Sequence, residues 1–511
     1  MQDKAAFTPP NMWLAVLALS LATFMQVLDS TIANVALPTI AGNLGVSADQ
    51  GTWVITSFAV CNAIALPLTG WFTRRFGQLK LFIGSVVMFT LTSFLCGFAH
   101  SMTELIFFRA LQGFFAGPMF PMCQTLLLVI FPSSKRSMAL ALLSMVTVVA
   151  PIVGPITGGW ITDNYSWPWI FYINVPIGIF ASIVVWTQMR AREETTTHAP
   201  IDYIGIALLV LGVGLLQVVL DKGNDLDWFA STHIIIMSVI SAISLVSFVM
   251  WELGERHPIV NLRLFKDRNF AIGTLSLTLG YAAFFAINII LPQWLQTQMG
   301  YTAIWAGLAA APMGVLPLIM TPIIGRYATK FDLRILASLS FLTMGASCLI
   351  RAQFNTDVDF RTIAEVQLFM GIGVAFFFMP ITTIVLSNLN GAEVAEGSGL
   401  ATFFRVLGGS FASSLTTWIW SRREVFHHAN LTESVSNYNP AAVDYLDKMG
   451  GATQQHMAFI DKTIEQQAYM MSTIDYFWIL GWGFMALIIV IWFARPPFVR
   501  SGAPSAPSAG H

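Results

Sequence analysis

An all-α polytopic membrane protein is the fold class this sequence predicts, and three observations predict it. Of 511 residues, 56% are apolar and the mean hydropathy is +0.68. Only 10% are charged, against roughly 25% in soluble proteins. A soluble chain of this length would divide into several domains, each needing a charged surface; a bilayer removes that need. The apolar residues also gather into fourteen runs of about 20, the length that crosses a hydrocarbon core.

The runs are taken in order along the chain. Span 1 is expected at 12–35. Only Lys4 precedes it and no small-residue cleavage site follows, so it reads as a retained span rather than a signal peptide. Spans 2–6 follow at 52–72, 80–99, 103–129, 138–160 and 168–189, making a first six-helix bundle within 1–190. Spans 7 and 8, at 202–220 and 231–251, read as an insertion within 191–256. Spans 9–14, at 269–292, 303–325, 334–351, 363–387, 396–419 and 475–494, form a second six-helix bundle within 257–500. Residues 421–473 are polar and out of scale with the other loops, which suggests a folded cap or a partner surface. The tail 501–511, SGAPSAPSAGH, has a disordered composition.

Orientation follows from the basic residues. Seventeen of the 26 Lys and Arg, among them Arg74, Arg75, Lys80, Arg263, Lys266, Arg326 and Lys330, fall on the side of the N-terminus. Seven, including Lys222 and Arg351, fall in loops on the other side, while Arg109 and Arg405 lie within spans. Both termini are therefore expected in the cytoplasm. The formal charge of −1 leaves no basic field for nucleic acid. Cys61, Cys96, Cys123 and Cys348 lie in apolar stretches, so neither a disulfide framework nor a metal site is read from them. No GxxxxGK[ST] stretch occurs, so no ATP-hydrolysing loop is expected.

An internal repeat links the two bundles. The turn after span 2 reads Gly70-Trp71-Phe72-Thr73-Arg74-Arg75-Phe76, and the turn after span 10 reads Gly325-Arg326-Tyr327-Ala328-Thr329-Lys330-Phe331. Glycine, a basic residue five later and phenylalanine six later recur at the same offsets, and Gly77 closes the first turn.

Ionisable residues within spans are costly and so mark function by default. Asp29 sits about 25 Å from the N-terminal side of span 1, at 1.5 Å per residue. Arg109, on the oppositely directed span 4, sits at about 21 Å by the same count. They lie at similar depth and can pair statically, or form a carboxyl that gains and loses a proton under the influence of the arginine. Arg405 in span 13 reads as structural, capping carbonyls between the halves. Glu104, Glu365 and Asp475 lie near span ends, where snorkelling accounts for them. In span 5, Ala150-Pro151-Ile152-Val153-Gly154-Pro155-Ile156-Thr157-Gly158-Gly159 combines two helix-bending prolines with a small-residue face for close helix approach.

These stretches resemble the signatures of the major facilitator superfamily, in its fourteen-span drug:proton antiporter branch. Leu28-Asp29-Ser30-Thr31-Ile32-Ala33-Asn34-Val35-Ala36-Leu37-Pro38 is similar to the branch's first-span motif, and Arg109-Ala110-Leu111-Gln112-Gly113 to its fourth-span motif linked to proton coupling. Gly154, Pro155, Gly158 and Gly159 match the fifth-span antiporter motif, and Trp169 to Gly178 the entry to span 6. Arg423 to His428 and Leu431 to Ser434 resemble Emr-type multidrug export permeases. The turn motif, carried by Gly70, Arg75 and Gly77, departs from the family pattern at Arg74, where an acidic residue is usual. Ala150 replaces a glycine.

The resemblance implies a major facilitator fold with no catalytic residues, no metal and no cofactor, driven by the proton-motive force through Asp29 and Arg109. It implies a bacterial inner-membrane transporter that exports amphiphilic drugs by alternating access. It also implies delivery to a periplasmic membrane-fusion adaptor and an outer-membrane channel. A cavity lined by spans 1, 4, 9 and 12 is implied, for which Gln26, Gln124, Tyr281, Phe284, Asn288 and Phe377 are the candidate contacts. Tyr281, Phe284 and Asn288 share one stripe of span 9, and Phe376, Phe377 and Phe378 crowd span 12. The alternative reading is a proton-coupled exporter of one metabolite, such as a siderophore or peptide.

Overall fold

In the computed structural model, residues 9–498 are described apart from 133–134, 193–195, 197–199, 328–329, 390–392, 436–438, 449–450 and 452. The expected tail lies outside them. The protein is a multi-pass, helical membrane protein: among the described residues twelve helices are long and apolar enough to cross a bilayer, and the bent helix Arg136–Asn164 makes a thirteenth. The fourteenth span is the first part of Glu393–Ser434, less apolar because it carries Arg405, Gly408, Gly409 and several serines.

Span entries are set by short polar side chains that take up otherwise unpaired helix N–H groups. Asn11, Ser101, Asp202, Asp267, Asp332 and Asp359 each accept a backbone N–H two or three residues on. Glu104 does not snorkel: its carboxylate accepts the His100 N–H while Ser101 accepts that of Glu104, a reciprocal cap. Asp332 is held below the usual carboxylate range by hydrogen bonds from Arg334. Gly77 joins Trp53–Phe76 to Gln78–Gly97 with φ of +85°, a left-handed turn suited to glycine.

Two spans are broken in the membrane at corresponding places. Span 4 divides into Met102–Ala116 and Met119–Ile130, and span 12 into Phe360–Ala375 and Phe378–Leu386. These are the fourth spans of the two bundles, so the repeat extends to the breaks. It extends to side chains as well. The Cys96 thiol donates to Gln112, and Arg351 donates to Gln367, each pair sixteen residues apart between spans 3 and 4 or 11 and 12. Span 5 bends by 43° between Arg136–Pro151 and Ile156–Asn164, where the prolines remove helix hydrogen bonds.

The repeat glycines let the halves approach closely. A Cβ on Gly70 would lie 2.7 Å from Glu396 Cγ of span 13, and one on Gly325 would lie 2.6 Å from Ala141 Cβ of span 5. Each glycine thus admits the fifth helix of the opposite bundle at the end that bears the termini. Spans 7 and 8 (Tyr203–Lys222 and Thr232–Gly254) pair through Ser241 Oγ, which donates to the Gly212 carbonyl at 2.7 Å. Span 7 also reaches the second bundle, Gln217 donating to Ser410 at 2.9 Å.

The expected long loop 421–473 is not a loop. Helices Glu393–Ser434 and Gln454–Ile491, of 42 and 38 residues, continue out of the membrane, with Pro440–Lys448 between them. They are pinned where they leave it. Trp420 Nε1 donates to Thr473 Oγ1 at 2.9 Å, Ser472 Oγ to the Trp420 carbonyl at 2.6 Å, and the Trp420 and Tyr469 rings lie 4.7 Å apart. Asp475 accepts from Arg423 and lies 2.6 Å from His427 Nε2. Polar composition hid these helices because hydropathy registers only segments facing lipid.

Two basic residues also sit differently from expectation. Lys222 and Arg351, read as outer-loop charges, are buried at the ends of spans 7 and 11. Gly113 packs directly on span 2: a Cβ there would lie 2.2 Å from the Phe58 carbonyl oxygen, whereas one on Gly84 would meet nothing within 4 Å. Gly113→Ala should therefore cost about 1–3 kcal/mol by overpacking, and Gly84→Ala should be neutral or slightly stabilising. Thermal unfolding in lipid nanodiscs checks both; equal midpoints would count against the packing described.

Candidate functional site

Asp29 lies on the first span, Met12–Asn43, and is fully buried. Arg109, 1% exposed, reaches it from the first segment of span 4, with its Nη1 2.6 Å from Asp29 Oδ2. The two charges placed at equal depth by sequence do pair. The second carboxylate oxygen accepts from Gln112 Nε2 at 3.0 Å and from Asn174 Nδ2 at 2.7 Å. Arg109 also donates to Gln112 Oε1 at 2.8 Å and to the Val54 carbonyl at 3.2 Å. Its guanidinium stands 4.2 Å from the Phe58 ring and 5.5 Å from that of Phe171. Asn174 is oriented by Ser93, which donates to the Phe171 carbonyl.

The cluster therefore draws on spans 1, 2, 3, 4 and 6, within the first bundle rather than between the bundles. A buried charge pair is tolerated only when its remaining hydrogen-bonding capacity is filled, and four hydrogen bonds with Gln112, Asn174 and the Val54 carbonyl do so here. One acceptor stays unmatched: Asn174 Oδ1 is buried without a partner. Gln112, Asn174, Ser93 and Phe58 were not singled out as site residues. Gln112 and Asn174 stand within the quoted motifs, but their convergence on one carboxylate is a tertiary fact.

The span 5 motif touches span 1 immediately beyond Asp29. A Cβ on Gly154 would lie 2.1 Å from Thr31 Oγ1, and one on Gly158 would lie 2.7 Å from Ile32 Cγ1. Gly159 is looser, with its nearest neighbour, Val35, at 3.8 Å. The Pro155 side chain lies outside the described residues. At the turn after span 2, Arg75 stands over the Trp71 ring. Arg74, which replaces the family's usual acid, pairs with Glu396 of the opposite half. Glu396 also accepts from Asn261 at 3.0 Å. The turn keeps a charge pair, with the acid supplied from span 13.

Between the halves lies a cavity of about 30 Å³, lined by spans 4, 5, 9, 12 and 13. Span 1 does not line it, contrary to expectation, and Gln26 instead buries its Oε1 without a partner. Gln124 does line it, accepting from Ser398 across the interface. Tyr281 and Phe284 pack against Phe378, at 6.1 and 6.4 Å. Asn288 bonds its own helix at the Phe284 carbonyl.

Phe377 is a correction. It is fully buried among Gly280 and Phe341 of the second bundle, and Phe378 faces the cavity instead. The break in span 12 turns the helix at this point, so counting along an unbroken helix selects the wrong ring. Among the described residues Arg405 caps no carbonyl: it lies between Phe120 of span 4, at 4.4 Å, and Tyr281, at 5.2 Å. Among the described residues no group of three His, Cys, Asp or Glu is placed to hold a metal.

Three comparisons bear on this arrangement. Residues 19–413 match the family model described as Major Facilitator Superfamily. The chain is 49% identical over 506 residues to the multidrug export protein EmrB of Escherichia coli K12, covering 98% of this chain and 99% of that one. It is 45% identical over 489 residues to the fatty acid resistance protein FarB of Neisseria gonorrhoeae, covering 95% and 96%. Among solved structures it superimposes on the proton:xylose symporter XylE with a TM-score of 0.61 at 13% identity, covering 94% and 95% of the two chains. That likeness concerns the fold.

Removing Arg109 strands a buried carboxylate, so Arg109→Ala should destabilise the protein by about 3–5 kcal/mol. The double variant Asp29→Asn/Arg109→Gln leaves no unpaired charge and should lose markedly less. Denaturant titration of wild type and the two variants in nanodiscs tests this, and a double variant as unstable as Arg109→Ala would show that the stranded carboxylate is not the cause of the loss.

Proposed function

The chain belongs to the major facilitator superfamily, as a transporter and not an enzyme, and on that premise we propose that it exports amphiphilic drugs and related toxic compounds in exchange for protons. The observation that carries the reading is the Asp29 cluster: a wholly buried carboxylate, neutralised by one arginine, sits on span 1 just before the residues that pack on the glycine face of a bent helix. The names of the relatives EmrB and FarB support an export role for toxic amphiphiles.

In this mechanism Asp29 takes up a proton and its attraction to Arg109 weakens. Thr31 and Ile32 lie on the same helix within one turn, against Gly154 and Gly158, so a shift of span 1 is felt at span 5. Span 5 in turn meets Gly325 of the second bundle, and the movement reaches the contact between the halves. A cavity of about 30 Å³ admits little more than one water, whereas drug-sized ligands need about 300–1,000 Å³. The halves must part for substrate to enter, and the Arg74–Glu396 pair is the contact that opens. Energy comes from the proton-motive force, about 2.3 kcal/mol per charge per 100 mV of potential, with no cofactor.

The distribution of Lys and Arg favours both termini in the cytoplasm, and the likeness to EmrB favours a bacterial inner membrane. The helical hairpin formed by Glu393–Ser434 and Gln454–Ile491 would then project into the periplasm. Val425, Phe426 and Phe459, all more than half exposed, give it an apolar face for a membrane-fusion adaptor leading to an outer-membrane channel.

Drug-driven proton release from proteoliposomes should occur with the wild type and vanish in Asp29→Asn, with drug binding retained. Coupling that survives the substitution would leave Asp29 a structural partner of Arg109. Deleting 430–465 should abolish co-purification with the adaptor without preventing membrane insertion. Unchanged co-purification would place the adaptor contact elsewhere.

A further inference from the structure

The cations within the spans are not equally matched. Arg109 is neutralised by Asp29, and Arg351 donates to Ser347 and Gln367. Arg405 differs. It is 7% exposed, and among the described residues neither a carboxylate nor a hydrogen-bond acceptor meets its guanidinium. Its neighbours are two aromatic rings, Phe120 from the first half and Tyr281 from the second. Ring faces attract a cation only weakly compared with the cost of taking it out of water. A charge held in that way between two moving halves calls for an anion from elsewhere.

A second observation points in the same direction. Both broken spans resume beside this cavity: Met119–Ile130 begins next to Phe120, and Phe378–Leu386 begins at Phe378, and both rings line it with Arg405. Arg405 is the one formally charged residue among those that line the cavity, which makes the site positive. Its remaining polar groups, Gln124, Ser144, Thr382 and Ser398 among them, are uncharged, and its walls are aromatic and aliphatic. That suits a small anionic head with an apolar tail.

We propose that Arg405 is the residue that holds the anionic head group of an amphiphilic carboxylic acid in the transport cavity, between Phe120 and Tyr281. The proposal rests on the export reading above and names one substrate class for it. Because the arginine contacts both halves through these rings, an anion bound there also neutralises the one charged side chain that lines the cavity. Acids are then preferred over their uncharged analogues, and amphiphilic cations are disfavoured at this position.

The test measures binding of radiolabelled dodecanoate to the full-length protein in nanodiscs, with competition by dodecanamide, dodecyltrimethylammonium and chloride. In the wild type, dodecanoate should bind at least tenfold more tightly than the neutral amide. Arg405→Gln should weaken dodecanoate by about tenfold to a hundredfold, the scale of a hydrogen bond to a charged group, and leave dodecanamide unchanged. Arg405→Lys should recover part of the loss. Equal wild-type affinity for acid and amide would overturn the proposal without any variant. So would equal weakening of both ligands in Arg405→Gln, or displacement of dodecanoate by an equal concentration of chloride. If proton-coupled export of a non-acidic drug persists while dodecanoate fails to bind, this inference falls and the export function stands. If no amphiphile binds or drives proton release, the export reading falls with it.

Discussion

Inside a bilayer every polar atom has to find its partner within the protein, because no water is present to supply one. The architecture follows from that constraint. Polar side chains cap the span entries, and buried threonines such as Thr23, Thr69 and Thr90 return their hydroxyls to the preceding helical turn. The one carboxylate deep in the first bundle gathers donors from three residues, Arg109, Gln112 and Asn174. The constraint is incompletely met at a few buried atoms, Asn174 Oδ1 and Gln26 Oε1 among them.

Close packing at small residues makes the second layer of the design. Gly70 and Gly325 occupy equivalent turns of the two bundles and each receives the fifth helix of the other. The exchange is reciprocal, so the interface between the halves is built twice from one plan. Glu396 adds charge to one copy of it, pairing with Arg74 and Asn261. Nothing equivalent is needed at Gly325, where Ala141 and the backbone of Met138 provide the contact.

Much of this was legible in the sequence because hydropathy, helical rise and motif spacing are local quantities. They located the spans, placed Asp29 and Arg109 at one depth and aligned the two repeat glycines. What stayed hidden depends on the third dimension. Glu396 sits in a segment remote from Arg74, although the missing acid at the turn was a hint to look for one. Phe377 and Phe378 exchange roles because span 12 breaks beside them. Gln26 does not line the cavity although it stands three residues from Asp29. The helical hairpin is polar, and hydropathy is silent about polar helices.

Span 13 is one unbroken rod from Glu396, at the contact between the halves, past Arg405 to Ser434 beyond the far side of the membrane. At 1.5 Å per residue that is about 57 Å. A tilt of about 5° at the inner end would sweep the tip through about 5 Å, by the same rise. The helix is thus a pointer: an angular change too small to disturb packing around Arg405 becomes a displacement the size of a side chain at the tip. Any protein resting there would register mechanically how the two halves meet at Glu396, without itself touching that contact.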